Sequence, residues 1–192
     1  MSLINSLHSF FLKISRPATI AAITVITLLF FWLINLQGVP GIPPIASLLR
    51  IGLPDMLFTY SPSAIYEKLT RFGFDGRCAY RIFLERIDFL FPAIYGLFFV
   101  MVTTFGFSRL FPNRPALQKL GLLPWFTTLF DYAENLCFLA LLRIYPVESP
   151  NLQKLANAFT LAKWAFAAIS IVLLLVATLG LLIRNLRRPA SD

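Results

Sequence analysis

The sequence has little of what metal centres and disulfide frameworks require. Its 192 residues include one histidine, His8, and two cysteines, Cys78 and Cys137. Zinc and haem sites need several ligands at defined spacings, and a carboxylate site needs more oxygen ligands than the acidic residues here offer. Cys78 lies in a polar segment and Cys137 in an apolar one, so we expect no disulfide. We therefore expect neither a metal nor another cofactor, and no histidine-based catalysis.

Charged residues are also scarce. They make up 14% of the chain, whereas 58% is hydrophobic and the mean hydropathy is +0.75. Soluble domains carry about 25% charged residues, so an ordinary soluble domain is excluded. The net charge of +8 comes from basic residues scattered along the chain rather than gathered in one patch. We therefore expect the lipid bilayer, and no nucleic acid, as the partner.

Four apolar segments have the length needed to cross a bilayer, about 20 residues at ~1.5 Å each. They are residues 17–36, 89–108, 121–142 and 164–183. The first is too long for a signal peptide and no small-residue cleavage site follows it, so it is interpreted as a retained anchor. The sequence predicts a single all-α membrane domain over residues 1–192, folded as an antiparallel four-helix bundle.

The distribution of Lys and Arg predicts the orientation. The N-terminal arm, the loop at 109–119 and the C-terminal tail are short and dense in positive charge, which is typical of cytoplasmic loops. We therefore expect cytoplasmic N- and C-termini in a bacterial inner membrane, with residues 37–84 and 145–162 on the outer side.

The first outer loop, residues 37–84, contains a predicted interfacial helix. Its first half is apolar and rich in proline, and we expect it to lie along the membrane surface, with Gly38 and Pro40 ending the first span. Its second half has an N-cap residue, Ser61, followed by Pro62 at the first helical position. The segment 61–72 then places its apolar residues on one face, as amphipathic helices do: Ile65, Leu69 and Phe72. This helix is interpreted as a cover over the bundle or, alternatively, as a gate or docking surface.

Two carboxylates occur inside the third apolar segment. Asp131 and Glu134 are three residues apart and Asn135 is four from Asp131, so the three share one helical face. An acidic side chain at bilayer depth costs roughly 2.5–3.5 kcal/mol on insertion scales and therefore faces the protein interior. These residues are the first candidates for a functional site.

Other spans contribute polar residues at a comparable depth. Asp88 begins the second span, Lys163 begins the fourth, and Pro92 with Tyr95 predicts a kink that opens backbone carbonyls. We expect a buried polar layer that packs toward the bundle interior, with Lys163 close to at least one acid. The layer is interpreted as a structural network, a ligand pocket or a proton pathway. Its predicted members are Asp88, Tyr95, Asp131, Glu134, Asn135 and Lys163.

The segments 60–98, 130–146 and 159–164 resemble an uncharacterised family of small bacterial four-span membrane proteins. The resemblance implies the same fold but no activity. Its matching positions are Tyr60, Ser61, Gly73, Gly76, Arg77, Tyr80, Asp88, Pro92, Tyr95, Asp131, Glu134, Asn135, Tyr145, Pro146, Thr160 and Lys163.

The layout alone is similar to that of the emopamil-binding sterol-isomerase superfamily. Those proteins have four spans, a long first loop and acidic residues that face an intramembrane cavity. This chain lacks the histidine that the enzymes of that superfamily use, which argues against isomerase chemistry here.

Three functions remain open from the sequence. The leading hypothesis is a non-catalytic accessory or assembly subunit that packs against other membrane subunits. The alternative is a lipid- or isoprenoid-binding protein. If it also modifies the lipid, Asp131 and Glu134 would act as acid and base. A proton-coupled permease is the third. A large apolar cavity joined to the acidic layer favours lipid binding, and a tightly packed core with flat apolar faces favours the subunit.

Overall fold

The computed structural model describes residues 3–35, 52–54 and 57–187, and every regular element within them is helical. The predicted all-α class is therefore confirmed for this part of the chain. The helices are α1 (Leu3–Ile14), α2 (Pro17–Asn35), α3 (Pro62–Arg71), α4 (Gly73–Arg86), α5 (Phe91–Leu110), α6 (Pro115–Lys119), a 3-10 turn (Leu120–Leu122), α7 (Trp125–Ile144) and α8 (Pro150–Leu186).

Two helical stretches are long and apolar enough to cross a membrane. They are Gly73–Leu110, which joins α4 and α5 into 38 residues, and α8 with 37 residues. The pair Leu3–Ile14 and Pro17–Leu33, which bends by 90°, adds a third if it forms one span. α7 is 20 residues long but is not among the candidates, and it carries the acidic pair. These helices indicate membrane association, with two or three spans by length and hydropathy.

The predicted boundaries of the last two spans differ from the structure. α8 begins at Pro150, so most of the predicted outer loop 145–162 is helical. Hydropathy alone misses this start because the first turns are polar, although Gln153, Ala156, Thr160 and Lys163 form a buried stripe at helical spacing. α7 begins at Trp125 rather than at residue 121.

Gly121 lies before α7, in the 3-10 turn, and packs against α5. A Cβ atom at this position would lie 2.8 Å from backbone atoms of Thr104. The turn can therefore approach α5 so closely only because this residue has no side chain.

The helix α3 forms where the sequence predicts it. Ser61 Oγ accepts a hydrogen bond from the Ala64 amide at 3.3 Å, and Pro62 occupies the first turn. The apolar face of α3 is buried against protein in a cluster built from α3, α4, the second half of α7 and the start of α8. α3 therefore covers the bundle. The predicted stop at Gly38 and Pro40, and the apolar segment that follows, lie outside the described residues.

A second apolar cluster lies at the other end of the helices. It contains Phe11, Ile23, Val100 and Met101, with contributions from α1, α2 and α5. Phe11 also packs on Trp125 at the start of α7, with ring centroids 5.8 Å apart. The two clusters frame the region in which the polar residues of α7 and α8 meet.

Candidate functional site

The polar residues of α7 face a polar stripe on α8. The Thr127 and Ser170 hydroxyl oxygens are 3.1 Å apart, and both side chains are buried. Two turns further along α7, Glu134 meets Thr160 and Lys163. Buried hydroxyl groups at helical spacing satisfy one another across the interface, which fixes the register of the two helices.

Glu134 is at the centre of this interface and is fully buried. Lys163 Nζ donates a hydrogen bond to its Oε2 atom, and Thr160 Oγ1 donates one to its Oε1 atom. Each carboxylate oxygen thus has its own donor, and one of the two donors is a cation. This arrangement is what a buried carboxylate needs to offset the loss of its water.

Asp131 shares the same lysine. Its Oδ1 atom is 3.6 Å from Lys163 Nζ, and its Oδ2 atom accepts a hydrogen bond of 2.5 Å from the Tyr95 hydroxyl group. Lys163 therefore lies between two carboxylates that belong to one face of α7. Within the described residues, Lys163 thus contacts both acids of this face.

Asp88 and Asn135 meet through the backbone, beside Pro92. Proline has no N–H, so the carbonyl oxygen four residues earlier, that of Asp88, receives no helical hydrogen bond. Asn135 Nδ2 donates to this oxygen at 3.0 Å. The helix is interrupted at residues 87–90, just ahead of Pro92, and an amide from α7 fills the open position. Asn135 thus has a structural role in closing this break.

Two residues of the layer were not predicted as members of it. Thr160 bonds to Glu134 and lies 2.9 Å from the Tyr60 hydroxyl oxygen, and the Tyr60 amide donates to Asn157 Oδ1 at 3.1 Å. Burial raises the pKa of Tyr60 well above its usual range. The signal available in the sequence was the position of Tyr60 and Thr160 in the resemblance described above. The layer is therefore connected to the segment that precedes α3.

A cavity of about 530 Å³ adjoins the polar layer and lies between α2, α5, α7 and α8. Its walls are mainly apolar and aromatic, with Phe31 from α2, Phe98 and Phe99 from α5, and Trp164 from α8. Lys163, Asp131, Tyr95 and Asp88 also line it and supply a polar end. Thr127 and Ser170 lie along the same wall.

The cavity separates the predicted site residues into two groups. Asp88, Tyr95, Asp131 and Lys163 border it, whereas Glu134 and Asn135 lie behind them in the helix interface. Glu134 therefore holds Lys163 in place but does not meet the cavity in the described part of the chain. Of the predicted acid and base pair, Asp131 is thus the member that lines the cavity.

The segment that precedes α3 contacts one wall of the cavity. Trp164 borders the cavity and packs on Phe58, with ring centroids 4.7 Å apart, and its Nε1 atom donates to the Leu57 carbonyl oxygen at 3.2 Å. Among the described residues there is no group of three or more His, Cys, Asp or Glu side chains arranged to hold a metal ion. The polar residues that line the cavity offer hydrogen bonding and charge.

Comparisons with family models, with curated proteins and with solved structures found no match to this chain. The resemblances named from the sequence stay predictions, and function has to be argued from the geometry of the polar layer and the cavity.

Proposed function

We propose that this chain is a multi-pass protein of the bacterial inner membrane that crosses the bilayer four times and binds one lipid molecule in the cavity. The spans would be α2, α5, α7 and the second part of α8, with both termini in the cytoplasm. The observation that carries the proposal is the cavity itself, because its apolar walls end in a cluster of charged and hydroxyl groups.

The contacts between helices support four spans of alternating direction. Phe30 stacks on Phe91 near the start of α5, whereas Ile23 clusters with Val100 further along it. α7 and α8 also run in opposite directions, because residues further along α7 pair with residues nearer the start of α8, as the Glu134–Thr160 hydrogen bond illustrates. Such up-and-down packing with short connections is common in four-helix bundles.

The length of the helices supports an outer extension. At ~1.5 Å per residue, α8 with its 37 residues is about 55 Å long, well beyond the ~30 Å of a hydrocarbon core. The cluster that α3 covers contains the second half of α4 and the start of α8, which would project from the same side of the membrane. The basic residues at the opposite end, such as Arg109 and Arg184 in the last turns of α5 and α8, agree with the cytoplasm on that side.

The properties of the cavity favour a lipid as its occupant. Its volume lies within the range of small-molecule sites, about 300–1,000 Å³. Aromatic walls suit an acyl or isoprenoid chain, and the polar end offers the Tyr95 hydroxyl group, the Asp131 carboxylate and the Lys163 ammonium group. A bound lipid would place its polar group at the polar end of the cavity, because a buried polar group needs a hydrogen-bond partner.

Lipid analysis of matched variants tests the proposal. The full chain is purified in mild detergent, its bound lipids are extracted, and mass spectrometry measures the amount per protein. Ala167 lines the cavity and its neighbour Ala168 is exposed. We expect Ala167→Phe to lower the retained lipid several-fold and Ala168→Phe, the control with the same added volume, to retain the wild-type amount.

Equal retention in the two variants would show that the lipid binds elsewhere. A wild-type protein that carries no lipid species enriched over the bulk detergent extract would contradict the proposal directly. Melting curves in the same detergent establish that both variants are folded.

A second proposal is that other membrane subunits pack on the outer faces of the bundle, as an accessory subunit requires. Large apolar side chains are exposed along α2 and the second part of α8, including Trp32, Val172 and Leu179. Lipid tails can cover such apolar faces as well as another protein can. Crosslinking in native membranes, followed by identification of the captured proteins, distinguishes the two kinds of neighbour.

A further inference from the structure

A second pocket lies at the opposite end of the bundle from α3. It has a volume of about 350 Å³ and is formed by the C-terminal turns of α5 and α8. Its lining combines two guanidinium groups, smaller polar groups and apolar side chains: Arg109, Ser108 and Phe105 from α5, and Arg184, Asn185 and Leu181 from α8. It shares no lining residue with the cavity of the polar layer.

The two arginines are held in place by their own end of the bundle. Arg184 Nη1 donates a hydrogen bond to the Arg109 carbonyl oxygen, which ties the last turn of α8 to the last turn of α5. The guanidinium carbon of Arg109 lies 4.2 Å from the centre of the Phe105 ring, a cation–π contact. Both arginines are exposed, yet each has a contact that orients its guanidinium group, and both line the pocket.

Positive charge at this end has no counterpart in the described protein. The residues from 89 to 130 and from 149 to 187 include five basic residues near this end, Arg109, Arg114, Lys119, Arg184 and Arg187, and no Asp or Glu. No described carboxylate forms an ion pair with Arg109 or Arg184. An anionic ligand would supply the counter-charge that the described lining of this pocket lacks.

The position of the pocket specifies the kind of anion. Arg109 and Arg184 both lie in the final turn of an apolar helix, which is where lipid headgroups meet a membrane protein. The planar guanidinium group matches the oxygens of a phosphate, and the Asn185 side-chain amide adds a neutral donor. Phe105 and Leu181 continue the lining with apolar surface, as acyl chains require.

We propose that this pocket binds the phosphate group of an anionic phospholipid, with Arg109 and Arg184 as its two charged ligands. The site rests on the membrane embedding proposed above but not on the cavity of the polar layer. It is a surface site that selects a headgroup, whereas the cavity encloses a chain.

Native mass spectrometry of the detergent-solubilised full chain tests this site. The protein is titrated separately with phosphatidylglycerol, with phosphatidylcholine and with inorganic phosphate. We expect phosphatidylglycerol to bind at least about tenfold more tightly than either of the others. Arg109→Gln combined with Arg184→Gln should weaken phosphatidylglycerol binding about tenfold, which corresponds to about 1.4 kcal/mol.

The control removes the same charge from the other end of the protein. Arg71 and Arg143 are exposed there, and their double substitution by Gln should leave phosphatidylglycerol binding unchanged. Equal weakening by the two double variants, or equal binding of phosphatidylglycerol and phosphatidylcholine, overturns the proposal. Inorganic phosphate that binds as tightly as phosphatidylglycerol also overturns it, because the site would then recognise a free anion.

The Ala167→Phe variant separates this proposal from the function assigned to the cavity. It alters a residue of the cavity and none of this pocket. We expect it to bind phosphatidylglycerol as the wild type does, even though it loses the lipid of the cavity. Loss of both activities in Ala167→Phe would contradict the independence of the two sites.

Discussion

Removing the ammonium group of Lys163 should destabilise the protein more than removing its whole ion pair. Lys163 donates to Glu134, which is fully buried, and lies 3.6 Å from Asp131 Oδ1. Lys163→Met keeps most of the side-chain volume but leaves two buried carboxylates without their shared cation. Loss of one partner from a buried pair costs about 3–5 kcal/mol, because the remaining charge is left uncompensated.

The magnitude translates into a measurable shift in melting temperature. For a chain of this size, 1 kcal/mol corresponds to roughly 2–4 °C, so Lys163→Met should melt roughly 6–20 °C below the wild type. Fluorescence-detected size-exclusion chromatography after heating in mild detergent measures this shift. Lys154→Met, an exposed position on the same helix, supplies the matched control and should stay within about 0.5 kcal/mol of the wild type.

A double variant separates loss of charge balance from loss of packing. Glu134→Met in the Lys163→Met background replaces both partners by apolar groups of similar volume, which is often close to neutral. We expect it to recover at least half of the stability that Lys163→Met loses. Two results would contradict this role of the ion pair. One is a Lys163→Met variant that melts at the same temperature as Lys154→Met. The other is a double variant in which Glu134→Met lowers the melting temperature further instead of restoring it.

Two further predictions concern topology and the helix break. The topology is tested in a Cys78→Ser background, which removes an exposed thiol. A cysteine that replaces Glu67 should react with an impermeant maleimide added outside the cell, and a cysteine that replaces Arg114 should not. The reverse labelling pattern would show that the proposed orientation is inverted. Asn135→Leu should cost about 1–3 kcal/mol in detergent melting because it leaves a buried backbone carbonyl without a donor, whereas Asn151→Leu, at an exposed position, should be close to neutral. Equal effects of the two asparagine variants on the melting temperature would contradict the role of Asn135 in closing the helix break.

The polar layer could be predicted because charge is costly at bilayer depth. Asp131 and Glu134 had to face protein, and their spacing assigned them to one face of α7. Lys163 followed as a cation at a similar depth on another apolar segment. The same reasoning predicted equal roles for Glu134 and Asp131, yet of these two residues only Asp131 borders the cavity. Which of two acids on the same face of α7 borders the cavity depends on the packing of α8, which no local pattern encodes.

The cavity and the start of α8 could not be predicted. Four helices line the cavity, and its space depends on where they fail to touch, so no single segment carries its signature. α8 begins in a polar stretch, and hydropathy detects only its apolar part. Tyr60 and Thr160 are 100 residues apart, and their contact depends on the cover that α3 provides. Such contacts follow from tertiary packing rather than from periodicity.

If α5 and α7 both cross the bilayer as proposed above, the interruption ahead of Pro92 would constrain the order in which the two helices can be inserted. The carbonyl oxygens of Asp88 and Phe89 accept hydrogen bonds from Asn135 and Tyr132, at distances of 3.0 and 2.8 Å, and both donors belong to α7. If α5 entered the bilayer alone, these two carbonyls would lie in hydrocarbon without partners, at a cost of several kcal/mol each. The start of α5 is therefore expected to stay in contact with water until α7 has been synthesised, so that the two helices enter as a pair.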